Sequence, residues 1–173
     1  MTFTPEITQK RKGGIGGSEV SAILGLDPYS SPYQVWLRKT GREAPFTGNK
    51  YTQAGNILES AVVEFFSRET RYRIIKSSAK QQVIIHPKYN FAIGMRDRLY
   101  VKSAIVGKGV LECKTTQGCF DDVPDTWFTQ LQWYLGVSEL SYGAVAWLEK
   151  GLDFKFKEYE SDPEYFNYCI EIV

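Results

Sequence analysis

An apolar run near the middle of the chain, Gly109-Val110-Leu111-Glu112-Cys113-Lys114, carries opposite charges two residues apart. In a strand, residues two apart share a face. Glu112 and Lys114 therefore point the same way from a segment that otherwise reads as buried. Charged side chains are seldom buried without partners, so the fold must bring partners to this strand. Asp97 lies fifteen positions upstream, at the start of another strand-like run. A second carboxylate from a neighbouring strand turns the pair into a hard-cation site beside an ammonium group. That combination suits phosphodiester hydrolysis. The chemistry needs carboxylates that hold Mg²⁺, a Lewis acid that lowers the pKa of water, and a fixed positive group near the scissile phosphate.

Length and composition leave room for such a fold. The chain has 173 residues, 43% of them hydrophobic and 14% aromatic, which fits one compact domain over residues 1–173 with a real core. The net charge is +1, so a nucleic-acid surface must come from local patches. The stretch from Met1 to Lys12 lacks an apolar signal-peptide core. No run of about 18 apolar residues offers a membrane span. Cys113, Cys119 and Cys169 are odd in number and lack zinc or disulfide spacing, which suggests reduced thiols in a cytosolic protein. With His86 as the single histidine, a histidine-based centre is not expected.

Periodicity orders the elements. Ser18 stands at an N-cap position before Glu19–Leu24. Pro32 opens a helix through Lys39, and Gly41 closes it. Thr47–Asn49 reads as a mobile loop. Tyr51–Arg71 reads as a longer helix with Leu58, Val62, Phe65 and Phe66 on its apolar stripe. Glu59 falls on that buried side, while Glu64 and Glu69 fall on the wet side. Strands are expected over Tyr72–Lys76, Gln81–His86, Phe91–Gly94, Arg98–Val101 and Gly109–Thr115, with turns at Lys88–Asn90 and Ser103–Lys108. Asp125 is placed as the cap of a helix to Val137. Strands follow at Ser141–Leu148 and Phe154–Tyr159, and Pro163 starts a last helix. The order predicts an α/β (α+β) core, a mixed sheet with helices packed on each side.

Other groups carry weaker signals. Arg11 and the glycine run from Gly13 to Gly17, ending at Ser18, resemble an anion nest at a helix start rather than a P-loop or dinucleotide fingerprint. The bland alternative is a flexible loop. Asp121, Asp122 and Asp125 read as a solvated loop and helix cap. Trp36, Trp127, Trp133 and Trp147 read mainly as core, with one of them a candidate wedge against a DNA end. Gln130, Gln132 and Tyr134 are polar positions on one helix.

Five blocks in order resemble a known family: Arg11 to Glu19; Ile23 to Tyr29 with Ser31-Pro32-Tyr33 and Trp36; Gly55 to Glu59; Asp97 with Glu112-Cys113-Lys114; and Gln130-Leu131-Gln132-Trp133-Tyr134. The chain is similar to the phage-type exonucleases of the YqaJ viral recombinase and lambda exonuclease group, within the PD-(D/E)xK nuclease superfamily. The likeness covers roughly Arg11 to Glu149. It departs from many relatives at Arg98, where they carry glycine; Asp-Arg-Leu is similar to the variant of RecB-like nucleases.

The resemblance implies a restriction-endonuclease-like core and a Mg²⁺- or Mn²⁺-dependent deoxyribonuclease. It would digest double-stranded DNA from a 5′ end and leave 3′ single strands for recombination. Asp97 and Glu112 would hold the metal, helped by the Cys113 carbonyl and Glu59. Lys114 would position or polarise the attacking water. Gln132, with Gln130 in reserve, would hold the scissile phosphate beside Tyr134. Arg11 and Ser18 would bind the terminal phosphate. The family also suggests a ring-shaped homotrimer, a single-strand annealing recombinase as partner, and the cytoplasm of a bacterial or phage-infected cell. An endonuclease of restriction or repair type, or a non-catalytic DNA-binding protein on the same fold, are the alternatives.

Overall fold

A computed structural model describes residues 11–44, 48–75 and 83–173. Five helices are named within them: α1 (Gly17–Ile23), α2 (Pro32–Lys39), α3 (Lys50–Thr70), α4 (Asp125–Ser138) and α5 (Pro163–Ile172). The strands are β1 (Arg73–Ile75), β2 (Ile84–Ile85), β3 (Ile93–Gly94), β4 (Arg98–Ser103), β5 (Gly107–Thr116), β6 (Tyr142–Glu149) and β7 (Asp153–Glu160). The main sheet runs β1-β4-β5-β6-β7, and β2 pairs with β3 in a small second sheet. β4 and β5 form an antiparallel hairpin, whereas β5 and β6 are parallel. A parallel neighbour needs a crossover, and α4 provides it. The sheet is therefore mixed, with β5 at its centre.

Each face of the sheet has its own apolar layer. On one, Val62 and Phe66 of α3 meet Tyr100, Leu111, Ala144, Ala146 and Leu148. On the other, Val110, Val145 and Trp147 meet Val20 of α1, Leu131 and Leu135 of α4, and Phe166 of α5. Burial on both faces explains why β5 and β6 read as near-continuous apolar runs. Gly109 allows a close approach within the first layer. A Cβ there would lie 2.6 Å from Tyr100 Cζ, and the buried Tyr100 donates to Glu158 Oε1 of β7 at 3.3 Å. Burial and the Glu158 carboxylate push the Tyr100 phenol well above its ordinary value.

Several local expectations are corrected. Ser18 does not cap α1: Gly16 occupies the N-cap, and the Glu19 carboxylate reaches back to accept from Gly16 N at 2.8 Å. Asp125 is the first helical residue of α4, with Pro124 at the cap position. Phe65 leaves the buried stripe of α3 and stacks on Phe154, 5.5 Å between ring centroids. Its neighbour Phe66 takes the core position instead. The expected loop at Thr47–Asn49 lies partly outside the described residues, and Asn49 itself caps α3 through Tyr51 N and Thr52 N. Lys76 and Gln81 of the expected strands also lie outside them. The turn after β4 is tighter than expected, with β5 already begun at Gly107.

Candidate active site

The antiparallel register pairs Arg98 with Leu111. One step further along, Asp97 faces Glu112 across the strands. The contact is visible at the backbone: Cys113 N donates to Asp97 Oδ2 at 2.9 Å. Glu112 is 2% exposed. Its Oε1 lies 2.9 Å from Lys114 Nζ. From α4, Gln130 closes the pair into a triangle. Gln130 Nε2 donates to Glu112 Oε1 at 2.7 Å, and Lys114 Nζ donates to Gln130 Oε1 at 2.7 Å. Burial alone would depress the Lys114 ammonium, but the Glu112 and Asp97 carboxylates outweigh it and hold the pKa above the ordinary lysine value. The lysine is thus a stable cation, a donor and not a base at neutral pH.

Gln130 also links this centre to the glycine-rich loop. Its Nε2 donates to the Tyr134 hydroxyl at 3.1 Å. Tyr134 lines a small cavity with Arg11, Gly16, Gly17, Ser18, Glu19 and Ile93-Gly94-Met95. Burial, then Glu112 and Asp97, push the Tyr134 phenol well above its usual value, with Arg11 pulling the other way. The phenol therefore keeps its proton. The close fit depends on Gly17: a Cβ there would lie 2.8 Å from Tyr134 Cε1 and 2.9 Å from Gln130 Cγ. Arg11 and Ser18 are both exposed at the mouth. Lys39 braces the loop, pairing with Glu19 Oε2 at 2.8 Å and donating to the carbonyls of Arg11 and Gly14.

Some predicted site residues are placed elsewhere. Gln132 does not face the centre. It is 2% exposed, donates to the Glu160 carbonyl at 2.9 Å and accepts from Asp162 N at 2.8 Å. It fastens α4 to the β7–α5 connection, and it is Gln130, the reserve, that bonds Glu112 and Lys114. The cause is helical: Gln130 and Tyr134, four apart, share a face that Gln132 does not. Glu59 is buried on α3, and its Oε1 lies 2.9 Å from Arg98 Nη1. Among the described residues, no group of three or more His, Cys, Asp and Glu side chains converges to hold a metal. Cys113 contributes its amide to Asp97. Asp122 pairs with Lys157 at 2.7 Å, a contact that lowers its carboxyl pKa.

Arg96 was not singled out from sequence. Its Nε is buried without a hydrogen-bond partner among the described residues, and burial lowers the guanidinium pKa. The signal was its place beside Asp97.

The YqaJ-like viral recombinase domain family matches residues 6–141. The uncharacterised protein YqaJ of Bacillus subtilis (strain 168) is 34% identical over 165 residues, covering 90% of this chain and 49% of that protein. An uncharacterised protein of Acanthamoeba polyphaga mimivirus is 26% identical over 151 residues, 78% of this chain and 27% of that one. The chain thus spans about half, or less, of the length of these relatives. Among solved structures, the alkaline exonuclease LHK-Exo of Laribacter hongkongensis superposes with a TM-score of 0.72 at 16% identity, covering 98% of this chain and 88% of that one. A phage-related exonuclease of Haemophilus somnus 129PT gives a TM-score of 0.66 at 15% identity, with 92% and 89% covered. These likenesses establish a shared fold. No helix among the described residues is long and apolar enough to cross a membrane.

Proposed function

This chain belongs to the YqaJ-like viral recombinase domain family, and we propose that it is a metal-dependent deoxyribonuclease that digests double-stranded DNA from a 5′ end. The observation that carries the proposal is the Glu112–Lys114–Gln130 triangle beside Asp97, with Glu112 and Gln130 buried and Lys114 half-buried, linked through Tyr134 to the Arg11–Ser18 cavity.

The donor set fits a small hard cation. Asp97 and Glu112 offer carboxylate oxygens on facing strands, and the Cys113 carbonyl lies in the same strand segment. Mg²⁺ commonly takes one or two carboxylates, with water and substrate phosphate completing the shell. Such an ion, or Mn²⁺, would supply Lewis acidity toward a phosphoryl oxygen. The remaining roles belong to this chain. Lys114, held cationic by its neighbours, orients the attacking water and stabilises charge developing on the phosphate. Gln130 fixes the rotamers of both Glu112 and Lys114. Glu59, paired with Arg98 next to Asp97 in the chain, supports the strand start that carries Asp97.

Arg11 and Ser18 hold the terminal 5′-phosphate, a charge-assisted contact. Hydrolysis on the 3′-oxygen side of the next phosphorus leaves a new 5′-phosphate on the shortened strand, ready for the same cavity. The 3′ strand remains, a substrate for a single-strand annealing recombinase. A homotrimeric ring enclosing the duplex fits this processive role.

The test uses end-labelled linear duplex with 5′-phosphate or 5′-hydroxyl ends, and closed circular duplex, each with Mg²⁺. Faster loss of the phosphorylated duplex and survival of the circle are expected, and Arg11→Ala should erase most of the end preference. Equal rates on both ends with nicking of the circle would point to an endonuclease instead.

A further inference from the structure

Helix α2 exposes the side chains that such a helix usually buries. Of its residues only Val35 is buried. Trp36, expected in the core, is 43% exposed and Tyr33 is 65% exposed. Their rings stack, with centroids 5.7 Å apart and planes 21° apart. The Arg42 guanidinium lies 4.3 Å from the Trp36 centroid. Large aromatics left in water together call for a ligand more than a scattered exposed leucine does.

The stack is held ready. Ser31 Oγ accepts from Gln34 N, and Gln34 Oε1 accepts from Ser31 N, so a capping box fixes the first turn under Tyr33. At the other end, Lys39 ties α2 to Glu19 and to the carbonyls of Arg11 and Gly14. The aromatic face therefore keeps a fixed position relative to the loop whose Arg11 and Ser18 line the cavity. From Ser31 to Arg42 the sequence holds Arg38, Lys39 and Arg42 and no acidic residue, in a chain whose net charge is +1. Lys39 is taken up by Glu19, so the positive charge beside the flat π surfaces comes from Arg42, over the Trp36 ring, and from Arg38 on the same helix.

We infer that the Tyr33–Trp36–Arg42 stack is a platform on which unpaired bases at a DNA end stack. Every base offers a π face to an aromatic ring, and the flanking cations meet the phosphates, so such a platform takes single strands with little sequence preference. A protein partner could use aromatics too. The Arg42 guanidinium on the Trp36 ring and Arg38 on the same helix, which Lys39 ties to the loop of the terminal-phosphate cavity, favour nucleic acid. The inference rests on the proposed action at DNA ends.

The test is a fluorescence titration of the full chain with oligo(dT) and with blunt duplex, both without divalent metal. Trp36 is the most exposed tryptophan, so stacked bases should quench its emission, and Trp36→Leu should remove that quenching. Tyr33→Ala should weaken oligo(dT) binding about ten-fold, with a much smaller change for blunt duplex and an unchanged circular dichroism spectrum. Tyr33→Phe should bind as the native chain does. Native oligo(dT) affinity in Tyr33→Ala, or equal losses on single strand and duplex, would overturn the platform; the first result is also the one expected if the surface receives a protein. A metal-supported digestion run beside the titration separates the two proposals. Digestion with an unaffected Tyr33→Ala titration defeats the platform alone, and a Tyr33-dependent titration without digestion defeats the nuclease reading alone.

Discussion

Two buried glutamates sit on neighbouring strands, each about 3 Å from a lysine ammonium, and their remaining neighbours differ. Glu149, at the end of β6, is 2% exposed and meets Lys155. Its Oε1 also accepts from Phe120 N and Trp147 Nε1, both at 2.9 Å. A backbone amide and an indole are fixed donors, so this pair buckles the loop before α4 onto the sheet. Those hydrogen bonds, Trp147 first, bring its carboxyl to a pKa of about 2. Glu112 meets Lys114 and Gln130, both flexible side chains, with Asp97 opposite. A carboxylate bonded through side chains beside a second carboxylate can take a cation without breaking a hydrogen bond of the backbone. One held by backbone and indole cannot do so without loosening the fold. The ion pair is the same in both places; on the proposed nuclease reading, the neighbours separate a site for chemistry from a brace of the fold.

The sharpest break in the comparison is expected at Asp97. Asp97→Ala should lower cleavage by at least about 10³-fold, since it removes a carboxylate from the metal-binding pair. The folded spectrum should persist. Near-native digestion would remove Asp97 from the site.

Lys114→Ala should cost about 10²-fold in cleavage, the scale of one preorganised charge, while Mn²⁺ binding by calorimetry persists. Lys114→Arg should rescue poorly, because a planar fork does not reproduce a compact ammonium. Lys155→Ala, the matching change in the other pair, should leave cleavage near native.

Gln130→Ala and Gln132→Ala sharpen the contrast within one helix. The first should reduce cleavage about ten-fold, since the Glu112 and Lys114 rotamers lose their support. The second should lower the thermal midpoint by several degrees and spare the rate, because its hydrogen bonds go to Glu160 and Asp162. A reversed pattern would reinstate Gln132.

The smallest effect expected is on acid stability. The Glu149 pKa falls from the usual 4.5 to about 2 on folding. Its contribution is therefore complete above about pH 4.5 and is lost as pH drops toward 2. Acid unfolding curves of the native chain and Glu149→Gln should converge across that window. A constant gap between them would show that the carboxylate does not titrate with folding.

Much of this was legible in the residues. The structure does bring together the charge pair spaced by two in an apolar strand and Asp97 at the head of the preceding strand, which accepts from the Cys113 amide. Glu59 was correctly put on the buried face of α3. Its partner Arg98 could not be read, because a helix position says nothing about which strand residue crosses to meet it. Gln130 could have been preferred over Gln132 from its four-residue spacing to Tyr134 alone. Trp36 misled because aromatic content predicts core only on average, and α2 turns its rings outward. The N-cap of α1 was missed because Gly16 has no side chain to mark it and Glu19 does the capping from inside the helix.

The central claim, that Glu112 is held for chemistry and Glu149 for the fold, is tested by Glu112→Gln and Glu149→Gln side by side. Each is assayed for Mg²⁺-dependent digestion of 5′-phosphorylated linear duplex and for thermal midpoint. Glu112→Gln should lose cleavage by at least about 10²-fold with a midpoint close to native. Glu149→Gln should keep most of its cleavage and melt several degrees lower. Native-rate digestion by Glu112→Gln would contradict the account.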